Sequence, residues 1–425
     1  MEQHQDEPSF AGVAPRNEAV PAAGPAFQAA GRDRYLDTLR ALALARVVAY
    51  HSFGAVWLSL VFPSMGVMFA LAGSLIARSL NRPALGVMRS RAKRLLLPLW
   101  VYALTVLGLL FIAGWRPWQE EDGSWLRIFL WFVPVGNPPF PETIGPDNGP
   151  VDTTWGVQAE EILWYIRAYF WFMLLSPLLL KAFRRSPWIT LLAPLGLLAA
   201  LVLGNTELPD WANSPVTDFA TFGSCWILGF AHHDGLLRKL RLPLVTALAV
   251  AAMGMGLAWV VTHLADGGWD LNDIPLAQAL WSLGFCAVLM RLSPVWGTLP
   301  GPMQILNGAI TLMNNRAMTI YLWHNLLLVG AVLLIELGSE NDTISEAFPW
   351  LIDGNWMPFF LVWPLLGITI LGVGWVEDIA AGRTPRIWPA RSGKPSPTAA
   401  DKRSTKIDHQ LQGTQGGSFE TSRDT

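Results

Sequence analysis

The stretch 36–58, LDTLRALALARVVAYHSFGAVWL, decides the reading of this chain. It is apolar enough to approach a bilayer span, yet it carries Asp37, Arg40 and His51. Arg40 and His51 are eleven residues apart, and at 100° per residue that spacing returns to within about 20° of the starting direction. Both side chains therefore leave one helix on the same stripe, about 16 Å apart along its axis. Asp37, fourteen residues before His51, falls on that stripe too. Charged and titratable groups inside a span are costly and usually mark a functional site.

Composition places the rest of the chain in the same class. Hydrophobic residues make up 52% of the 425 and charged residues 15%, proportions of a membrane protein rather than a soluble globule. The 22 tryptophans fit, because indole rings favour the membrane–water interface. The net charge of −2 says nothing about nucleic acid. Cys225 and Cys286 both lie in apolar runs and read as packing residues rather than a redox pair or a metal site. No signal peptide is recognisable: the first 31 residues are rich in Ala, Pro, Glu and Gln, and the first apolar run is too long and too charged for an h-region.

Ten apolar runs approach span length, at roughly 36–57, 61–80, 95–114, 162–180, 188–204, 217–233, 242–263, 274–290, 317–337 and 358–376. The segment 124–135 is too short to span and is expected in the interface, and part of 300–316 could be re-entrant. The connections alternate in charge. Residues 78–94 carry Arg78, Arg82, Arg89, Arg91, Lys93 and Arg94 with no acid, and later connections hold Lys181, Arg184 and Arg185, then Arg238, Lys239 and Arg241, then Arg291 and Arg316. The intervening connections are acidic, with Arg116 and Arg127 as exceptions. Basic connections face the cytoplasm, so ten spans with both termini inside satisfy every one. The expected architecture is an all-α polytopic bundle over 33–378. It is flanked by a disordered cytoplasmic N-terminus, 1–32, and a polar, disordered cytoplasmic tail, 379–425. No internal repeat or pair of interrupted helices of the transporter kind is found.

Asp37 and Arg40 fall near the inner interface, where they could simply pair and snorkel. His51 lies past the midplane, too deep for that. It could hydrogen-bond a neighbouring helix, or serve as a general base: neutral imidazole can take a proton from a hydroxyl as that oxygen attacks an acyl carbonyl. His324 is a second intramembrane histidine, either in a Tyr/His bond between helices or near an active site. His232, His233 and Asp234 invite a metal reading, but adjacent helical residues point about 100° apart, and a solvated helix end is the simpler account. No metal site is expected anywhere. The 115–161 connection, rich in Trp, Pro and acids, reads as a lid over an outer cavity, where Asp147, Asp152, Glu160 and Glu161 could bond sugar hydroxyls or simply be solvated.

Several motifs now combine. Arg40-x10-His51 resembles the first-helix signature of the acyltransferase-3 family of integral membrane O-acyltransferases. FALAGSLIARSL (69–80), with Phe69 and Gly73, is similar to its second helix, and RAKRLLLPLW (91–100) to the entry of its third. LWYIRAYFWFMLLSPLL (163–179) resembles the Trp-led fourth span, and AMTIYLWHNLLL (317–328) the late Tyr-Leu-x-His helix. The likeness runs in order from about 33 to 376. It implies transfer of an acyl group, often acetyl, from cytoplasmic acyl-CoA to a hydroxyl of an envelope glycan or a small-molecule or glycosylated metabolite. His51 would be the catalytic histidine, either as general base or as a brief carrier of the acyl group, with Arg40 and Asp37 beside it on the helix. Arg91 and Arg94 would contact the donor, and His324, Tyr321 and Trp164 the substrate. Acyl-CoA would be a co-substrate, no cofactor would be bound, and the setting would be a bacterial inner membrane. One departure stands out: many members carry a Glu a few residues after the Trp of the fourth span, where this chain has Arg167 instead. A transporter or flippase for acylated or lipid-linked molecules, without acyl-transfer chemistry, is the competing reading of ten spans with buried charge.

Overall fold

Asp33 opens the first helix by accepting a hydrogen bond from the Tyr35 N–H, and Gly54 closes it in the left-handed region at φ 56°. Such caps satisfy the backbone groups that a helix end leaves open. The helix is therefore Arg34–Phe53, and the chain turns before the expected end at 57. The computed structural model describes residues 33–119, 124–144, 154–264, 268–339 and 356–387, and every regular element among them is helical. The expected disordered N-terminus, the tail beyond 387, and Asp147 and Asp152 lie outside the described residues.

Among the described residues, ten helices have 16 residues or more. They are α1 (Arg34–Phe53), α2 (Ser64–Ser79), α3 (Ala84–Ile112), α4 (Leu163–Arg185) and α5 (Pro187–Leu203). The rest are α6 (Asp210–His233), α7 (Leu242–Thr262), α8 (Pro275–Arg291), α9 (Ala317–Ser339) and α10 (Met357–Val373). Each falls on one expected apolar run. Five stretches are long and apolar enough to cross a membrane: Leu58–Ser79, Ala84–Ile112, Trp155–Arg185, Leu242–Thr262 and Ala317–Ser339. The helices α5 and α10 are apolar but shorter. The largest difference is in α3, which begins at Ala84 rather than 95, because the basic stretch 84–94 continues the helix beyond its apolar part. The 124–135 segment forms one turn of α-helix followed by one of 3-10 helix, and 301–315 a 3-10 turn running into a short helix, Asn307–Asn315.

The bundle is organised around α6, which packs on α2, α4, α5 and α8, while α1 packs on α2, α9, α10 and the 307–315 helix. Its outside is apolar: Leu104, Ile112, Ile189, Leu248, Val250 and Ile368 are all exposed. Only 22% of the apolar stretch of α7 is buried in the protein, as expected of a helix that meets lipid. Between such helices the hydrophobic effect gives no drive, and close backbone packing must supply the attraction. Here α2 and α6 touch backbone to backbone. A Cβ on Gly73 would overlap the Trp226 carbonyl, and one on Gly229 would overlap the Ala70 carbonyl. Above this crossing the fully buried Phe69 meets the rings of Tyr165, Phe172, Phe222 and Trp226. Beside it, His232 bonds Ser74 Oγ at 2.9 Å and Ser293 Oγ at 3.1 Å, while Asp234 pairs with Arg184. These bonds engage His232 and Asp234 of the His-His-Asp run in holding α6 against its neighbours.

The crossing generates a direct test. Gly73→Leu or Gly229→Val should cost about 3 kcal/mol or more, since backbone cannot move aside as a side chain does. Gly254→Leu, at a position with open space, should cost almost nothing. Thermal unfolding in detergent would measure the contrast.

Candidate active site

The N-terminal turns of α1, α3 and α9 and the C-terminal turn of α2 meet around one cavity of about 1090 Å³. Arg40, Arg78, Arg82, Arg91, Arg94 and Arg383 line it, with Glu377, Tyr165, Tyr169 and Tyr321. Arg40 and Leu44 are successive turns of α1, and Ala317 and Tyr321 successive turns of α9, so the cavity runs inward from the helix ends.

The arginines are not equivalent. Arg91 donates to the Leu75 carbonyl at 2.9 Å, to Ser79 Oγ at 2.9 Å and to Tyr169 Oη at 3.1 Å, which fixes its guanidinium against α2 and α4. Arg40 donates to Asn314 Oδ1 at 3.1 Å. The Asn314 amide is itself oriented by bonds to the Asp37 and Ile310 carbonyls, each 2.8 Å. For Arg82 and Arg94 no hydrogen bond or ion pair is found among the described residues, and Arg82, Arg91 and Arg383 all lie close enough to Arg94 to repel it. Unpaired cations gathered in a protein concavity focus a positive potential and suit a polyanion. Guanidinium groups add bidentate geometry for phosphate.

A strap that follows α10 forms one wall. Arg316, with no exposed surface, donates to Asp378 Oδ2 at 2.7 Å and to the Arg386 carbonyl at 2.9 Å. Asp378 also pairs with Arg383 at 3.0 Å. Burial would raise the Asp378 carboxyl, but the hydrogen bond and charge of Arg316 outweigh it and hold the group below the usual carboxylate range. Glu377, its neighbour, accepts from the Thr319 N–H at 2.8 Å and from Thr319 Oγ1 at 2.6 Å. Burial pushes its carboxyl up to about 7 despite those bonds.

Past the cavity, one turn beyond Tyr321, His324 is wholly buried. Its ring lies 5.2 Å, centroid to centroid, from that of His51 at an interplanar angle of 61°. The two intramembrane histidines are thus in edge contact between α9 and α1. His51 also meets the Tyr50 ring at 5.2 Å, and the Tyr50 hydroxyl donates to Asp270 Oδ2. Arg46 lies over Tyr50, 4.8 Å from its centroid, and donates to the Leu58 carbonyl at 3.3 Å.

Arg40, Arg91, Arg94 and Tyr321 therefore come together around the cavity, whereas His51 and His324 pair beyond it. Asp37 joins neither group: it pairs with Arg34 at 3.4 Å, and Arg34 donates to Thr311 Oγ1 at 3.2 Å, anchoring α1 to the 307–315 helix. Trp164 stacks on Phe222 at 5.5 Å, outside the cavity lining. Glu160 and Glu161 end the helix Trp155–Glu161, which α9 holds through the Asn325 amide on the Gln158 carbonyl. Arg167 is buried in an ion pair with Asp218 at 2.6 Å. Cys225 and Cys286 are free, buried thiols.

Arg46, Tyr50, Asp270, Glu377 and Arg383 escaped the sequence reading. Arg46, five residues before His51, points about 140° from the Arg40–His51 stripe. Tyr50 and Asp270 meet across 220 residues and Glu377 meets Thr319 across 58, while Arg383 reaches the cavity only because the strap folds back to pair it with Asp378.

The family model described as an acyltransferase domain, Acyl_transf_3, matches residues 33–377. The chain belongs to the acyltransferase-3 family: it is an acyltransferase and a membrane protein, with a donor and an acceptor substrate. Neither the comparison with curated proteins nor that with solved structures gives a match.

Two outcomes follow from the cavity. Arg94→Ala should weaken binding of CoA by roughly 10- to 100-fold, the worth of one charge-assisted hydrogen bond, as read by calorimetry in lipid nanodiscs. Glu377 is neutral below about pH 7 and anionic above it, so affinity for CoA should fall between pH 6 and 8. In Glu377→Gln, which keeps an acceptor for Thr319, that fall should be smaller.

Proposed function

We propose that this protein is an O-acyltransferase of a bacterial inner membrane, with ten spans and both termini in the cytoplasm. It moves an acyl group, acetyl in the simplest case, from acyl-CoA to a hydroxyl of an envelope glycan or a glycosylated small molecule. The observation that carries this reading is the arginine-lined cavity, open where the basic connections lie and ending one helical turn short of the His51–His324 pair. A nucleotide with several phosphates matches the six arginines, and its thioester arm matches the less charged lining of Leu44, Tyr165 and Tyr321.

His51 acts as general base. Its neutral imidazole takes the proton of the acceptor hydroxyl as that oxygen attacks the thioester carbonyl. The tetrahedral intermediate collapses with cleavage of the carbon–sulfur bond, and the CoA thiolate leaves as a thiol after recovering that proton from His51. The products are the ester and free CoA. No prosthetic group or metal is needed. Arg91 and Arg94 hold the phosphates, and Arg40 stands at the cavity wall on the helix that carries His51. His51 meets Tyr50, which lies under Arg46 and bonds Asp270 of an acidic connection, the kind expected outside, and this supports an acceptor arriving from the outer half of the membrane.

The deciding experiment is release of free CoA from acetyl-CoA by purified protein in lipid, beside His51→Ala, with pooled envelope glycans and cell extract as acceptor. Release should require both His51 and the extract, with a loss of at least about 10²-fold in the variant. Normal release by His51→Ala, or no release with any of several acyl-CoA donors, would overturn the proposal.

A further inference from the structure

His324 offers two ring nitrogens in unlike settings. Nδ1 lies 2.6 Å from the Tyr321 carbonyl oxygen, which can only accept. Nδ1 must therefore carry the hydrogen, and in the neutral ring Nε2 is left with a lone pair. Nε2 is fully buried and has no partner among the described residues. Buried polar atoms without partners are uncommon and call for an explanation. The neighbouring polar group is His51, in edge contact across the α1–α9 interface.

From this geometry we infer that His324 is a positioning residue for His51: with a small turn of the His51 ring from its present edge contact, Nε2 accepts the His51 ring N–H and fixes which nitrogen of His51 is free to act as base. The chain of cause runs from the backbone outward. The Tyr321 carbonyl sets the tautomer of His324, and His324 then sets the tautomer and ring angle of His51. A second group that holds the tautomer of a catalytic imidazole is a recurring device, usually filled by a carboxylate. A carboxylate would bring a charge into the bundle interior, and a neutral imidazole does the same work without it. Tyr321 gives the device a link to the donor, because it both supplies the carbonyl and lines the arginine cavity. Its hydroxyl donates to the Ile162 carbonyl at 2.8 Å, and Asn325, next after His324, is bonded to the Gln158 carbonyl at 2.8 Å. Bonds to the end of the 155–161 helix thus flank His324 and hold this part of α9 in place.

The inference rests on His51 being the acyl-transfer base, but its first test does not depend on turnover. Solid-state ¹⁵N NMR of histidine-labelled protein in lipid distinguishes the protonated and unprotonated ring nitrogens of each neutral histidine. The seven histidines of the chain would be assigned by single substitutions. Wild type should show His51 in one tautomer, His324→Ala should show it in a mixture, and His324→Gln should restore the single form, because the Gln Oε1 can accept where Nε2 did. A single, unchanged His51 tautomer in both variants would overturn the inference whatever the activity assay gives. Should His324→Ala fail to fold, a tautomer mixture for His51 in wild type or in His324→Gln would overturn it. In turnover, His324→Ala should lower kcat by roughly 10²-fold with the KM for acyl-CoA unchanged, and His324→Gln should recover much of the loss. Equal losses in the two variants, or a rise in KM alone, would refute it.

Discussion

Everything in this bundle depends on the backbone contact between α2 and α6. Gly73 and Gly229 let the two helices approach until carbonyls stand where a side chain would. In lipid such contacts substitute for the hydrophobic drive that water would give. The consequences spread by packing. Because α1 lies on α2, the crossing sets where Arg40 and His51 stand, and because α4 lies on α6, it sets the wall that Tyr165 and Tyr169 form. Phe69, one turn from Gly73, fills the wedge above the contact with rings from α4 and α6. A glycine pair therefore positions the arginine-lined cavity and the histidine pair without contributing a functional group to either.

The cavity gathers like charge against the fold that holds it. Six guanidinium groups around one concavity repel each other, and the protein relieves only part of that repulsion. Arg91 is hydrogen-bonded on three sides, Arg40 rests on Asn314, and Arg383 shares Asp378 with the buried Arg316. Full neutralisation by carboxylates would stabilise the empty protein and leave nothing to bind an anion. Glu377 shows the compromise in one residue. Its carboxyl sits among the arginines, yet burial raises it to about 7, so it adds a hydrogen-bonding wall that carries only part of a full opposing charge at neutral pH.

Much of this was legible in the sequence because it rests on local regularities. Apolar runs gave ten helices near their observed positions, since burial in lipid needs no distant partner to be predicted. The Arg40-x10-His51 spacing placed both residues on α1, and the resemblance pointed to Arg91, Arg94, Tyr321 and His324, all of which lie in or beside the cavity or its deep end. What escaped was set by contacts across the chain. Asp37 reads as a member of the Arg40–His51 stripe, but its ion pair is with Arg34. Asp270 bonds Tyr50 across some two hundred residues, and Asp378 meets Arg316 only once the strap folds back. Trp164, the leading residue of a motif, stacks in the core because Phe222 happens to face it.

The spacing that opens the sequence acquires its meaning from the cavity. Eleven residues of helix keep Arg40 and His51 about 16 Å apart, whereas reacting atoms must come within about 3.5 Å. With His51 as the proposed base, Arg40 cannot act on the chemistry directly, and the separation is the length that the proposed donor has to span. A donor with phosphates at one end and a reactive carbonyl at the other, joined by an extended arm, meets both ends at once. In the proposed reading α1 works as a ruler. Its cytoplasmic end helps bind the charged part of the donor, and its deep end presents the base. The histidine contact with α9 keeps that deep end from turning, so binding energy gathered at the arginines can be used to hold the thioester against His51.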